Sequence, residues 1–274
     1  MHMHIRVGFE LIYECPQPTP MLLTLNVHYS RASDLVVPDL IATDPEVPIG
    51  AYRDSFGNWV SRIVAPKGRI AISTSAVLRH DGKPDDVAPD AIQHQVEDLP
   101  EDTLVFLLGS RYCETDLLSQ IAWDRFGGVK PGWSRVQAIC DFVYRHLTFG
   151  YRYKSATKTA FDAYQEARGV CRDYSHLAVA LCRAMNIPAR YCSGYLGDIG
   201  MPPPYPPMDF ASWIEAYLGG RWYTFDPRNH GDMPRIGRVL IARGRDAADV
   251  PISASFGPNE LIGFSVVTDE VAPR

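Results

Sequence analysis

The residue best suited to chemistry is Cys171, which stands at the start of a predicted helix. Gly169 breaks the preceding segment, and Asn186-Ile187-Pro188 ends the helix. Apolar residues recur between these limits at helical spacing, at Leu177, Ala178, Leu181, Cys182 and Met185. A thiol in a first helical turn meets unpaired N–H groups and the positive end of the helix dipole, both of which favour the thiolate. We therefore predict a nucleophilic cysteine, the alternative being a buried structural one.

Composition excludes several classes of function. The chain has 274 residues and a net charge of −5, without a basic run that would form a phosphate-binding stripe, so we expect no nucleic-acid binding. Its apolar stretches are too short to span a membrane. The first six residues lack the apolar core of a signal peptide, which favours a cytoplasmic location.

The cysteines are scattered and form no C-x-x-C pair. They are Cys15, Cys113, Cys140, Cys171, Cys182 and Cys192. This pattern predicts reduced thiols rather than a disulfide framework. Because no Cys or His pair at ligand spacing is matched by a second pair, we predict no metal site and no cofactor. Calcium is left open, since no oxygen-rich loop of the EF-hand type occurs.

Residues 1–106 have the pattern of a β-sandwich. Short runs rich in Val, Ile, Leu and Tyr are separated by turn sequences such as 54–58 and 80–84. We find no catalytic constellation here and predict a supporting or substrate-edge role. The acidic, proline-containing segment 85–102 is predicted to be a loop that joins two domains.

Residues 107–274 have the pattern of helices followed by an antiparallel sheet, an α+β domain. Helices are expected at 116–126, after a Ser134 N-cap and after a Thr159 cap, and strands at 189–195, 213–218, 221–225 and 261–268. Gly219-Gly220 predicts a tight hairpin between two of these strands. The predicted nucleophile then lies where the helices meet the sheet.

Three sequence blocks, in this order, resemble the transglutaminase-like superfamily, of a bacterial type that carries a β-rich N-terminal domain. The first is Gly169-Val170-Cys171 followed by Ile187-Pro188-Ala189-Arg190 and Gly194-Tyr195. The second is Asp209-Phe210-Ala211-Ser212-Trp213 with Glu215 and Tyr217, and the third is Trp222-Tyr223-Thr224-Phe225-Asp226-Pro227. Each block alone is weak, but the ordered set is specific. The resemblance implies a papain-like fold for the second domain.

The resemblance also implies a Cys-His-Asp triad, in which Cys171 forms a thioester and Asp226 orients the histidine. The histidine position falls 40 residues after Cys171 and 15 before Asp226, where the chain has Ala211. Ser212 cannot replace the base near neutral pH. A thiol lowered in pKa by the helix dipole would remain nucleophilic, but protonation of the leaving group would be lost. Without an imidazole to orient, Asp226 is expected to pair with Arg228 or to cap backbone groups.

Two other histidines and a set of cleft residues complete the predicted site. His230, in the loop after Asp226, is the remaining candidate base, the alternative being an exposed loop histidine. His176 is turned about 140° from Cys171 around the helix, so a core hydrogen bond is expected for it. The residues expected to line the cleft are Tyr151, Ser212, Trp213 and Trp222, although hairpin aromatics also pack in cores.

Three functional hypotheses follow. The first is acyl transfer on peptide amides through Cys171, as a protease or amidase rather than a crosslinking enzyme. The second is an inactive or weakened member of the superfamily that binds a peptide or protein in the ancestral cleft. The third is an N-acyl- or ester-directed thiol enzyme that uses His230.

Overall fold

The computed structural model describes residues 3–203, 205, 207–229 and 235–272. Its α-helices are α1 (Glu101–Leu104), α2 (Thr115–Phe126), α3 (Trp133–His146), α4 (Ala160–Glu166) and α5 (Cys171–Ala184). Its strands are β1 (Met3–Cys15), β2 (Thr19–Leu23), β3 (Leu35–Val37), β4 (Ala42–Asp44), β5 (Gly50–Arg53), β6 (Trp59–Ala65), β7 (Gly68–His80), β8 (Thr148–Phe149), β9 (Arg168–Gly169), β10 (Ala189–Tyr195), β11 (Ala211–Leu218), β12 (Arg221–Phe225), β13 (Val239–Gly244), β14 (Ser253–Ser255) and β15 (Glu260–Val271).

The N-terminal part consists of two antiparallel sheets around one core, which confirms the predicted β-rich region. One sheet has the strand order β15-β1-β7-β3, with β4 also paired to β7, and the other has the order β14-β2-β6-β5. Alternate residues of β1, such as Val7 and Leu11, are buried together with Met21 and Ile63 from the other sheet. This alternation is the pattern of strands with one face in a core.

The last strands of the chain return to the N-terminal sheets. β15, which contains the predicted strand 261–268, pairs antiparallel with β1, and β14 pairs with β2. The first and last segments of the chain therefore share sheets, and β14 and β15 are part of the N-terminal sheets although they lie at the end of the chain. The division into residues 1–106 and 107–274 remains a prediction about domain limits.

The second part confirms the α+β prediction. α5 packs against α2, α3, α4, β10 and β11. The sheet beside it has the order β12-β11-β10-β13, all antiparallel. From Asp173 to Ala184 every residue of α5 is buried, so this helix is the centre of the core. In the part of the chain that the structure describes, no helix is long and apolar enough to cross a membrane.

The structure contains most of the helix caps and turns that short sequence motifs predict. Thr159 caps α4 through a capping box with Asp162, and Gly219 and Gly220 both have positive φ in the β11–β12 turn, as predicted. The predicted Ser134 cap is wrong, because α3 begins at Trp133 and its N-cap is Gly132, two residues earlier than predicted. Gly132 has φ 101°, and a Cβ there would lie 2.4 Å from the Ala91 carbonyl oxygen, so this position requires glycine.

Candidate active site

The start of α5 is shaped by a glycine and a buried carboxylate. Asp173 turns back so that its Oδ2 accepts a hydrogen bond of 2.8 Å from the Val170 N–H. A Cβ on Gly169 would lie 2.6 Å from the Asp173 Cβ, so only glycine leaves room for this carboxylate. The helix therefore begins at Cys171, as the sequence predicts, with its thiol in the first turn.

A cleft of about 570 Å³ opens over Cys171, between the helix–sheet part and the N-terminal sheets. The helix–sheet part contributes Tyr151, Lys154, Val170, Cys171, Arg172, Tyr191, Ser193, Asp209, Phe210, Ala211 and Ser212. The N-terminal sheets and the segment before β14 contribute Leu11, Tyr13, Ile252, Ser253, Leu261 and Phe264. The sulfur thus faces a walled groove that is open to solvent. Tyr151 and Ser212 are the predicted lining residues found here.

Two hydroxyl groups line the cleft with the thiol, those of Ser212 and Tyr191. Hydrogen bonding by the Ser212 hydroxyl lowers the pKa of both Cys171 and Tyr191. The Ser212 and Ser175 hydroxyl oxygens are 3.0 Å apart. A hydroxyl can donate or accept a hydrogen bond, so these side chains can stabilise Cys171 as the thiol or as the thiolate. A hydroxyl cannot, however, remove the proton of the thiol at neutral pH.

The pKa of Cys171 is raised, not lowered as the helix dipole predicts. Burial is the main cause, and the Asp209 carboxylate adds to it. The Arg228 guanidinium and the Ser212 hydrogen bond act in the opposite direction but do not offset the burial. Desolvation of the thiolate thus outweighs the favourable contacts, which include a backbone hydrogen bond from Arg172 at the helix start. At neutral pH the thiol form dominates, so a nearby base would be needed for catalysis.

Ala211 occupies the position at which the resemblance expects a histidine, and it lines the same cleft as Cys171. It is the first residue of β11 and is paired with Gly194. On its other side a cavity of about 60 Å³ is bordered by Asp209, Arg228 and Asn229. Among the residues that the structure describes, no histidine lines either space. His230 lies outside the described residues.

Asp226 is buried and is held by partners other than a histidine. Its Oδ2 accepts hydrogen bonds of 3.0 Å from Arg238 and from the Asn229 side chain, and its Oδ1 accepts from the N–H groups of Arg228 and Asn229. Burial alone would raise the pKa of Asp226, but Arg238 and these hydrogen bonds lower it. The expected backbone cap is present, whereas the ion pair is made with Arg238 and not with Arg228.

Arg238 connects three separate segments. Its guanidinium pairs with Asp226 and, at 3.1 Å, with Asp85, and it lies 4.7 Å from the centre of the Trp213 ring. Because both members of the Asp226–Arg238 pair are buried, removal of one leaves the other charge poorly compensated. The pair therefore acts as a structural link between the β11–β12 hairpin, β13 and the loop after β7.

We expect Asp226→Asn to lower the free energy of unfolding by roughly 3 kcal/mol, at the low end for a broken buried pair because Asp85 still contacts Arg238. Since the pKa of Asp226 is lowered in the folded state, its contribution exists above the ordinary aspartate pKa and is lost as pH falls. Denaturant unfolding at neutral and acidic pH measures both effects. The control Asp86→Asn removes an exposed partner of Arg221 and should leave the midpoint unchanged. Equal effects of the two variants would contradict the assignment.

Two residues predicted to line the cleft, Trp213 and Trp222, are not among its lining residues, whereas His176 has the core position expected for it. Trp213 is buried in a cluster with Cys192, Leu196, Ala211 and Leu240, and it does not line the groove. Trp222 packs on Phe106 and under the Arg190 guanidinium, 4.0 Å from the ring centre. His176 is buried, and its Nε2 accepts a hydrogen bond of 3.1 Å from the Ala247 N–H. The two tryptophans thus serve packing, which was the alternative for hairpin aromatics.

Asp209 and Arg228 are the charged groups that act on Cys171, and the sequence analysis gave neither a role in catalysis. The Asp209 Oδ1 accepts a hydrogen bond of 2.7 Å from the Phe210 N–H, and burial raises the pKa of this carboxyl. The Arg228 guanidinium lies 3.9 Å from the centre of the Phe149 ring. The sequence could have identified them by their positions, since Asp209 precedes Ala211 by two residues and Arg228 follows Asp226 by two. In the described part of the chain, no cluster of His, Cys, Asp or Glu could hold a metal ion.

Comparison with known families places this site in a class. Residues 120–227 match the family model of the transglutaminase-like superfamily. This span includes the start of α5, the β11–β12 hairpin and Asp226. This span of the chain therefore resembles the transglutaminase-like superfamily.

The whole chain has a similar solved structure. A candidate cysteine protease from Cytophaga hutchinsonii superposes with a TM-score of 0.87 at 29% sequence identity, covering 100% of this chain and 92% of that chain. Uncharacterised proteins of Mycobacterium leprae and Mycobacterium tuberculosis are 31% identical over 122 residues and 33% identical over 169 residues. These matches cover 40% and 56% of this chain and 40% and 52% of the two mycobacterial proteins. The chain thus spans about half or less of these relatives.

Proposed function

We propose that the protein transfers or hydrolyses acyl groups of peptide amides through a thioester on Cys171, as a protease or amidase. The observation that carries the proposal is the cleft that Cys171, Ser212 and Asp209 line together. The resemblance of the whole chain to a candidate cysteine protease supports the same class. The substrate is then a peptide or protein.

Asp209 is proposed as the proton carrier in place of a histidine. As the sulfur attacks the carbonyl carbon, the S–H proton passes to the Asp209 carboxylate and an S–C bond forms. The C–N bond then breaks while this proton moves to the leaving amine. Water afterwards cleaves the thioester, which releases a carboxylic acid and restores the thiol. The raised pKa of Asp209 fits this role because a carboxyl nearer neutrality transfers protons in both directions more readily.

Arg228 is proposed to stabilise the thiolate. Its guanidinium is the largest opposing influence to burial on the pKa of Cys171. A positive charge beside the sulfur favours the ionised nucleophile in the step in which the proton leaves. Ser212 keeps the sulfur oriented through its hydrogen bond. Under this proposal the site works with a carboxylate and a guanidinium where the superfamily uses an imidazole.

A second candidate function is binding without catalysis, in which the cleft holds a peptide or protein. Ala211 at the histidine position and the raised pKa of Cys171 favour it, since both lower the reactivity of the site. The third hypothesis, an N-acyl- or ester-directed enzyme using His230, rests on a residue outside the described part.

We also propose that the protein resides in a reducing compartment, the cytoplasm, because all six cysteines are free thiols.

Trapping the thioester tests the leading proposal. The protein is mixed with an activated peptide thioester and with a peptide anilide, quenched in acid, and its intact mass is measured. We expect an acyl adduct on Cys171 that is absent from Cys171→Ala. Cys140→Ala, which removes a buried core thiol, should keep the adduct. If no donor acylates the wild-type protein, the binding function is the better description.

A further inference from the structure

The edge strand β15 carries a β-bulge next to the cleft. In its pairing with β1, Phe264 lies opposite Leu11 and Gly263 opposite Ile12, whereas Leu261 lies opposite Tyr13. Ile262 is therefore an extra residue without its own partner. Bulges of this kind re-aim side chains and occur preferentially at sheet edges and next to active sites.

The bulge places two apolar side chains on one face. Side chains of a regular strand alternate, so Leu261 and Phe264, three positions apart, would point to opposite faces. With Ile262 inserted, both lie beside Leu11 and Tyr13, and all four line the Cys171 cleft. Leu11 and Tyr13 are buried, while Leu261 and Phe264 are 47% and 46% exposed. The result is an apolar wall of the cleft that solvent still reaches.

The apolar wall contacts the side of the groove that is formed by the residues around Ala211. The Phe264 ring lies 6.0 Å, edge to face, from the ring of Phe210, which immediately precedes Ala211. β15 is also the outermost strand of its sheet. Within the described residues, the backbone of 260–266 makes no backbone hydrogen bond beyond its pairing with β1. An extended peptide could thus meet both a free strand edge and an apolar surface.

We infer that the wall formed by Leu261 and Phe264 is the docking surface for an extended peptide, and that it selects peptides with large apolar side chains. The claim that this surface binds substrates of Cys171 rests on the proposed function. The claim that it binds a peptide rests on the bulge, the exposed apolar pair and the free strand edge. The N-terminal sheets then supply the specificity and the helix–sheet part supplies the thiol.

Binding to the full-length Cys171→Ala protein tests the inference without requiring turnover. The probe is a fluorescein-labelled peptide of alternating leucine and serine, which presents every leucine on one face when extended. An all-serine peptide is the comparison. We expect the leucine peptide to bind at least roughly tenfold more tightly, the effect of burying about one leucine side chain. Fluorescence anisotropy measures both affinities.

Variants of the strand identify the surface. Phe264→Ser and, separately, Leu261→Ser should each remove most of the preference for leucine. Ile262→Ser is the matched control, since Ile262 is 51% exposed on the same strand but does not line the cleft. Thermal melting of the three variants checks that each folds. Equal binding of the two peptides, no detectable binding of either, or a preference that survives both wall substitutions overturns the inference.

The outcomes separate docking from catalysis. If the Cys171→Ala protein prefers the leucine peptide through Phe264 but the wild type forms no acyl adduct, the docking surface stands and the proposed activity falls. If the wild type is acylated equally by leucine and serine donors and Phe264→Ser changes nothing, the docking surface falls and the activity stands.

Discussion

Asp209→Asn is expected to slow amide cleavage by roughly 10²- to 10⁴-fold, the usual worth of acid–base catalysis, while it speeds alkylation of Cys171. The amide cannot carry the proton from the thiol to the leaving amine. Loss of the negative charge at the same time lowers the pKa of Cys171, because the carboxylate raises it in the wild type. At a given pH near neutrality we expect alkylation to be about threefold to tenfold faster. Rates with a peptide anilide and with iodoacetamide across pH measure both effects.

Two further variants make the result on Asp209 specific. Arg228→Gln should shift alkylation in the opposite direction, since it removes the positive charge that lowers the pKa of Cys171. Asp269→Asn, an exposed carboxylate on β15 paired with Arg6, should alter neither rate. A variant of Asp209 that slows both reactions equally would indicate a structural role and remove this residue from the proton path.

Ala211→His is expected to increase amide cleavage by about 10²-fold, the low end of the range for a new acid–base group. Position 211 lines the thiol cleft, and the adjacent cavity of about 60 Å³ provides space for an imidazole. Histidine titrates near neutral pH, so it can take the thiol proton more easily than a hydroxyl can. The gain should stay at the low end because Asp226 is occupied by Arg238 and cannot orient the ring.

Ala211→Asn is the control for this variant, since it adds a polar side chain that does not titrate. Only the histidine variant should gain activity, and its rate should fall below the imidazole pKa as the ring becomes protonated. A gain in both variants would point to packing rather than proton transfer. If the histidine variant cleaves amides while the wild type forms no adduct at all, the natural protein is a binder.

The predictions from sequence succeeded where the signal is local. The apolar spacing after Cys171 identified α5, and the paired glycines identified the β11–β12 turn, because helix periodicity and positive φ depend on a few neighbouring residues. The ordered blocks predicted the resemblance that residues 120–227 show to the transglutaminase-like superfamily. The wrong helix cap at Ser134 has a non-local cause. The helix start is set by Gly132, which leaves room for the carbonyl group of Ala91 in a distant loop.

By itself, then, the sequence determined most elements, their order and the position of Cys171 at the start of α5. Only the tertiary structure decided its electrostatics, because burial of Cys171 and its closeness to Asp209 and Arg228 arise from folding. It likewise decided that Asp226 pairs with Arg238, and that β15 returns to form a wall of the cleft. Desolvation and contacts between distant segments leave no periodic trace in a chain, which is why they could not be predicted from it.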